Sequence, residues 1–248
     1  MKNLINIFLI AISFSAVTSC VREIEPQKTP EETDKTPILP VKITYANEVS
    51  IFHYDNDKLK EIITDNDKEI YTYDGDDIVK TEEYISGTLA RTWNYTYNTN
   101  GQLIKIVMTA PGNVNEISTL TWSDKNHFLF KRENTTWEVE LTNNNLTKKT
   151  VKVDGESNVG THTFTYDGNN NPYKNIKGYN KVNIIYAFGG SANNVTKEEW
   201  STTSPVSNNV NIYSHEYNAD QFPTKTTAKL YAGTPQESTS TDIFEYNK

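Results

Sequence analysis

The chain reads as all-β: an antiparallel meander of repeated hairpins forming one long curled sheet, barrel-like or spiral, with a two-layer β-sandwich as the alternative. Three observations predict this. Aromatic residues alternate with polar ones in short runs such as Trp93-Asn94-Tyr95-Thr96-Tyr97, the period-2 mark of a strand with one face buried. Asp, Asn and Gly follow these runs, as in Asn98-Thr99-Asn100-Gly101; they supply the positive φ and side-chain caps of tight turns. Run and turn then recur, with anchor aromatics roughly 19 to 29 residues apart, a spacing that marks a repeat architecture.

Composition agrees. At 248 residues the chain suits one sizeable all-β domain or two small ones. Hydrophobic residues make up only 35%, but there are 15 Tyr, 9 Phe and 4 Trp, so amphipathic rings replace Leu and Ile on the inner face. A net charge of -8 without a basic cluster excludes nucleic acid as a partner. A single cysteine excludes an internal disulfide.

The N-terminus carries an address. Met1-Lys2-Asn3 is a positive start and residues 4–17 form an apolar run too short to span a bilayer. Val17-Thr18-Ser19-Cys20 resembles the bacterial lipobox, which implies a signal peptide over residues 1–19 and lipidation at Cys20. Residues 21–40 carry Pro26, Pro30, Pro37 and Pro40 among charged and small residues, too little apolar surface to offset the entropy of ordering. Residues 20–40 are therefore expected to be a lipidated cysteine followed by a disordered tether, and residues 41–248 a single repeat domain.

Copies of the unit begin at Phe52-His53-Tyr54-Asp55 and recur at Tyr71-Thr72-Tyr73-Asp74, at Tyr95-Thr96-Tyr97-Asn98, at Leu120-Thr121-Trp122-Ser123, at 137–148 and at Phe164-Thr165-Tyr166-Asp167. A seventh is read at Ile184-Ile185-Tyr186-Ala187-Phe188, another at His215-Glu216-Tyr217-Asn218, and a last one, cut short, at Phe244-Glu245-Tyr246-Asn247. The ring pair at i and i+2 faces one side. Asp or Asn caps the turn, and an apolar residue four or five positions on re-enters the core. The result is roughly fifteen or more strands, which must curl, split or close. No stretch beyond Pro40 has a helical period, and 57–64 reads as turn plus strand. An outer-membrane barrel would need outward apolar residues in every strand. Lys80-Thr81-Glu82-Glu83-Tyr84 and Thr196-Lys197-Glu198-Glu199-Trp200 do not supply them.

The units resemble the YD repeats of the RHS family, whose core is Tyr-Asp-x-x-Gly-x-Leu. Tyr97-Asn98-Thr99-Asn100-Gly101-Gln102-Leu103 matches with Asn for Asp, while Tyr73-Asp74 and Tyr166-Asp167 keep the dipeptide. The chain is similar also to Bacteroidota lipoproteins of unknown function built from such units. In RHS proteins these repeats form a β shell around a cargo; no cargo segment follows here, so that role does not carry over.

Residues with catalytic or metal-binding chemistry are sparse. His53, His127, His162 and His215 lie in four different units without metal spacing. Ser191 in Gly189-Gly190-Ser191-Ala192 lacks the glycine two residues on that a nucleophile elbow requires. No catalytic residue, metal site or cofactor is assigned. The acidic turns 55–57, 65–67 and 74–77 have a composition calcium accepts, but hairpin turns demand the same residues. Trp93, Trp122 and Trp137 read as core. Trp200, next to Glu199 and before the Ser/Thr/Pro-rich loop 201–209, is the candidate for stacking on a ligand.

These features describe a cell-envelope lipoprotein, anchored at the outer membrane or cell surface, that is not an enzyme. Its sheet serves as a binding or structural scaffold for a glycan, peptide or envelope protein. The alternative is a surface hydrolase acting on polysaccharide with its acids in a groove of the sheet. Cys20→Ala is expected to block lipid attachment and cleavage before residue 20. Labelled-acyl incorporation and N-terminal sequencing of the membrane fraction check this, and normal processing of the variant would contradict it.

Overall fold

The computed structural model describes residues 36–46, 48–112, 114–203 and 205–248. The signal peptide, Cys20 and nearly all of the tether lie outside the described residues. The chain enters its compact unit at Pro37, and Ile38 and Leu39 are already buried.

Sixteen antiparallel strands close into one barrel. In order they are β1 (Pro40–Tyr45), β2 (Glu48–Asp55), β3 (Lys58–Thr64), β4 (Asp67–Asp74), β5 (Asp77–Ile85), β6 (Thr88–Tyr97), β7 (Leu103–Ala110) and β8 (Val114–Trp122). The second half comprises β9 (His127–Arg132), β10 (Thr135–Thr142), β11 (Asn145–Val153), β12 (Val159–Asn170), β13 (Asn193–Thr203), β14 (Val206–Tyr217), β15 (Pro223–Leu230) and β16 (Ser238–Tyr246). Each strand pairs with its neighbours in sequence, and β16 pairs with β1 to close the ring. The meander is thus a barrel rather than a spiral or a sandwich. The unit that seemed cut short at Phe244-Glu245-Tyr246-Asn247 is completed by β1. Asn247 fastens the seam: its N–H donates to the Leu39 carbonyl at 3.1 Å and its Oδ1 accepts from Leu39 N–H at 3.0 Å.

One local device repeats around the barrel. Six pairs of an even strand with the next odd one carry a bulge near the end of the barrel where the even-to-odd turns lie; for instance Thr96 faces Lys105 but Tyr97 faces Leu103, leaving Ile104 extra. The extra residue shifts the alternation, so residues x and x+3 both point inward, as Ile78 and Thr81 or Leu103 and Ile106 do. Bulges also sharpen the local twist, which helps a sheet curl. At this end the ladder between an odd strand and the even strand after it stops short of the odd strand's first residues in every pair but β9–β10. The ring at the end of the even strand replaces the missing bond. Tyr54 donates to the Pro40 carbonyl at 2.7 Å, Tyr97 to Ile78 at 2.7 Å, Tyr166 to Leu146 at 2.6 Å and Tyr246 to Pro223 at 2.7 Å. Trp122 Nε1 donates to Leu103 at 2.8 Å, and His215 Nε2 to Val195 at 2.8 Å. The acceptor residues are essentially fully buried, so an unpaired carbonyl there would be costly. The β9–β10 pair tests the rule from the other side. Leu141 has no donor, and there the backbone itself stays paired, Leu141 N–H to Asn126 O at 2.7 Å.

The connection from β12 to β13, residues 171–192, does not form a hairpin. It turns into the barrel as a plug with two single-turn helices, α1 (Tyr179–Val182) and α2 (Ala187–Gly190). This corrects two expectations: 184–188 is not a seventh strand unit, and short helix does occur beyond Pro40. The plug joins two hydrophobic clusters, with Ile176 packed in the one around β16 and β1–β4 and Ala187 in the one around β7–β15. The acidic turns hold it. Lys177 Nζ lies 3.3 Å from Asp76 and 3.9 Å from Asp57, and Lys181 pairs with Asp77. Two glycines are obligatory. Gly178 has φ +68°, and a Cβ there would meet Asp76 O at 2.8 Å; a Cβ on Gly190 would meet Asn183 O at 2.3 Å.

Tyr97→Phe keeps the ring and orphans the Ile78 carbonyl. The expected cost is about 1–2 kcal/mol, read as a lower urea midpoint with unchanged slope; wild-type stability in this variant would contradict the ring-cap account.

Candidate functional site

A barrel of sixteen strands is too wide for one layer of side chains to fill. The plug occupies the middle, and cavities remain between it and the wall; one of about 620 Å³ lies at the capped end beside Lys181 and Ile184, and three more lie deeper. The first, about 280 Å³, lies against β4–β9 with Trp93, Tyr95, Glu69, Glu116 and Arg132 in its wall and Tyr186 of the plug facing it. The second, about 320 Å³, adjoins it through Glu69 and Tyr179 and is lined by Ser50, Asp67 and Glu83. The third, about 360 Å³, lies against β13–β16 and β1, with Tyr213, Phe244, Asp242 and the plug's Phe188. A fourth, about 480 Å³, sits on the inner wall of β11–β13 without plug residues. The plug closes the end where the ring caps lie. Among the described residues, only the odd-to-even turns rim the other end.

Away from the plug the inner wall becomes polar, and its charges are organised. Arg132 Nε contacts Glu116 at 3.0 Å, while its guanidinium lies over the rings of Phe130 and Trp137 at 5.5 and 5.9 Å. Glu198 receives His162 Nδ1 at 3.0 Å and Asn211 Nδ2 at 3.0 Å. The His162 bond comes first among the causes that hold this carboxyl below its usual range. Glu69 and Glu83 stand directly opposite each other on β4 and β5. Burial raises the Glu69 carboxyl; the Tyr71 hydroxyl opposes that shift and the Glu83 charge adds to it. Lys149 also faces inward, beside Val139 and His162, and burial lowers its ammonium. Asp242 is raised by burial alone.

Trp200 lies on the inner wall, not on an exposed loop. It stacks on His162 with ring centroids 5.8 Å apart and borders the fourth cavity. The segment read as loop 201–209 is a hairpin that turns between Thr203 and Val206. The β12–β13 bulge puts Trp200 on the inner wall. Counting by twos from inward Val195 puts Trp200 outside, and the extra residue Thr196 reverses the count. Trp122 and Trp137 pack against the core as expected, while Trp93 lines the first cavity. His53 and His127 are on the surface, paired with Glu61 and Asp124. Ser191 is a buried acceptor for the Leu146 N–H. The described residues contain no cluster of three or more metal-ligating side chains. Sequence reasoning missed Asp242, Glu69, Glu83 and Lys149, because only the closed register shows which acids and lysines turn inward.

The outer wall carries charge without the cluster of rings. Cross-strand ion pairs run over it, among them Lys42–Glu245 at 2.7 Å, Lys148–Glu140 at 2.9 Å, Lys152–Glu138 at 2.5 Å and Lys225–Glu216 at 2.8 Å. Exposed apolar residues such as Ile117, Leu129, Ile212 and Ile243 stand among them.

No protein-family model matches the chain, and no curated protein matches it. Solved structures do. It is similar to a porin-like protein from Bacteroides uniformis at 15% identity and TM-score 0.40, over 80% of this chain and 77% of that one. It is also similar to a porin-like protein from Bacteroides vulgatus at 13% identity and TM-score 0.43, over 85% of this chain and 99% of that one.

Proposed function

We propose that the protein is an envelope lipoprotein whose water-exposed barrel binds a small ligand in its lumen. The observation that carries this reading is the partition of side chains between the two faces. A barrel that spans a membrane needs an outward apolar band about 25 Å tall with aromatic girdles. Here the rings point inward and Lys–Glu pairs cover the outside. Lipid contact would desolvate those pairs at a cost of several kcal/mol each. The chain can still sit at a membrane through Cys20, with the residues from 21 up to Pro37 as the leash. Inside, half-exposed rings such as Tyr186 and Phe188 face cavities that also hold fixed charges. That mixture of apolar surface and a few placed polar groups is what ligand sites use.

Polysaccharide hydrolysis is a second reading, favoured by Glu69 and Glu83. One carboxyl is raised by burial and faces a second across the strand pair, the kind of split a glycosidase acid and its partner need.

The leaderless chain, residues 21–248, is expected to stay in solution without detergent, to form no conducting pore in planar bilayers, and to bind members of a glycan and peptide pool without cutting them. Conductance would overturn the non-spanning reading, and product release from the pool would favour the hydrolase.

A further inference from the structure

We infer that the third cavity is an amine site: it takes the cationic nitrogen of a small ligand at Asp242 and the ligand's apolar body against the surrounding rings. This rests on the reading that the lumen receives ligands, and it names the chemistry of one chamber.

A single pairing row crosses the cavity wall. His215 faces Thr226, Thr226 faces Asp242, and Asp242 faces Tyr45. Every polar group in that row other than the Asp242 carboxylate has a hydrogen-bond partner. His215 Nε2 donates to the Val195 carbonyl, so in the neutral ring Nδ1 accepts from the Thr226 hydroxyl at 2.8 Å. That uses the one proton Thr226 has. The Tyr45 hydroxyl is bonded to the Tyr173 hydroxyl at 3.1 Å. Among the described residues the Asp242 carboxylate has no hydrogen bond and no cation, and burial is the only cause of its raised pKa. The other inward acids differ. Glu116 has Arg132, Glu198 has His162, Glu69 has the Tyr71 hydroxyl and Asp67 has the Ser86 N–H, while Glu83 has the Arg91 charge at 3.4 Å although its buried Oε2 takes no hydrogen bond.

A carboxylate in this position works against folding. Its raised folded pKa means the native state favours the protonated form, so stability is lost as pH rises through that value. The wall around it is apolar and aromatic: Tyr45, Tyr173, Tyr213, Phe244 and Phe188. Phe188 belongs to the plug and remains 45% exposed, although its ring sits edge-on to Tyr213 at 4.9 Å. An unpaired carboxylate and an uncovered ring in one chamber are both satisfied by one class of ligand. An ammonium would pair with Asp242 and lie over ring faces, while a hydrocarbon body would cover Phe188. The volume, about 360 Å³, is at the small end for ligand pockets and suits a single-ring amine.

The test uses the full chain in mild detergent, with phenethylamine and its neutral isostere 2-phenylethanol as probes, in calorimetric titrations against wild type and Asp242→Asn. Wild type is expected to bind the amine about tenfold or more tighter than the alcohol, the worth of a charge-assisted bond. Asp242→Asn is expected to lose that preference while keeping the alcohol affinity, and to melt at or above the wild-type temperature near pH 7. Equal affinities for the two probes on wild type overturn the amine assignment and leave lumen binding standing. An undiminished amine preference in Asp242→Asn also overturns it. Absence of any binding, by these probes or by the wider pool, overturns both. The wild-type comparison decides even if the variant does not fold.

Discussion

The structure depends on how a buried carbonyl is satisfied where a strand ladder runs out. At the plugged end, strong twist and the repeated bulges part each odd strand from the even strand that follows it. Six ring or imidazole donors meet the carbonyls this exposes. A ring does this well because its body fills the wedge between the splayed strands while its polar tip reaches the backbone. At β3–β4 the same position is adapted. Tyr73 Oη accepts from Leu59 N–H at 3.0 Å and donates to the plug's Lys177 carbonyl at 3.1 Å, so the cap also docks the plug. The low aliphatic content is thereby explained: these positions need a hydrogen-bond donor as well as bulk.

The width of the barrel follows from the repeat and creates the second requirement. Each unit adds two strands, and eight units enclose more space than their side chains fill. The plug answers this by standing in the lumen, tied by Lys177 and Lys181 to turns whose acids resemble calcium ligands in sequence. It leaves spaces instead of a solid core. A repeat that is structural at one end therefore yields a lined, water-accessible interior at the other, where the charged residues gather.

Much of the fold was legible. Rings at i and i+2, the Asp/Asn turn and the returning apolar residue are local features, and the β-hairpins they describe are present. Asn98 and Asn218 cap their turns through Oδ1, as the residue type suggests. The plug was not legible because Ile184-Ile185-Tyr186 has strand composition, and only the close approaches at Gly178 and Gly190 show that the segment is folded on itself. Nor was the inner wall. A single bulged residue reverses which face a strand presents, so Trp200 moves from outside to inside, and Glu83 and Asp242 become inward groups only once the register is known. Ring closure is likewise a long-range pairing between β1 and β16 that no local pattern encodes.

The central claim is that this barrel turns its rings inward and its charges to water. The most direct measurement is spin-label accessibility in the membrane-tethered protein, with labels at the outward positions Leu129, Ile212 and Ile243. The account predicts fast relaxation by a water-soluble nickel complex at all three and little by dissolved oxygen. A continuous belt of oxygen-accessible, nickel-protected positions would contradict it.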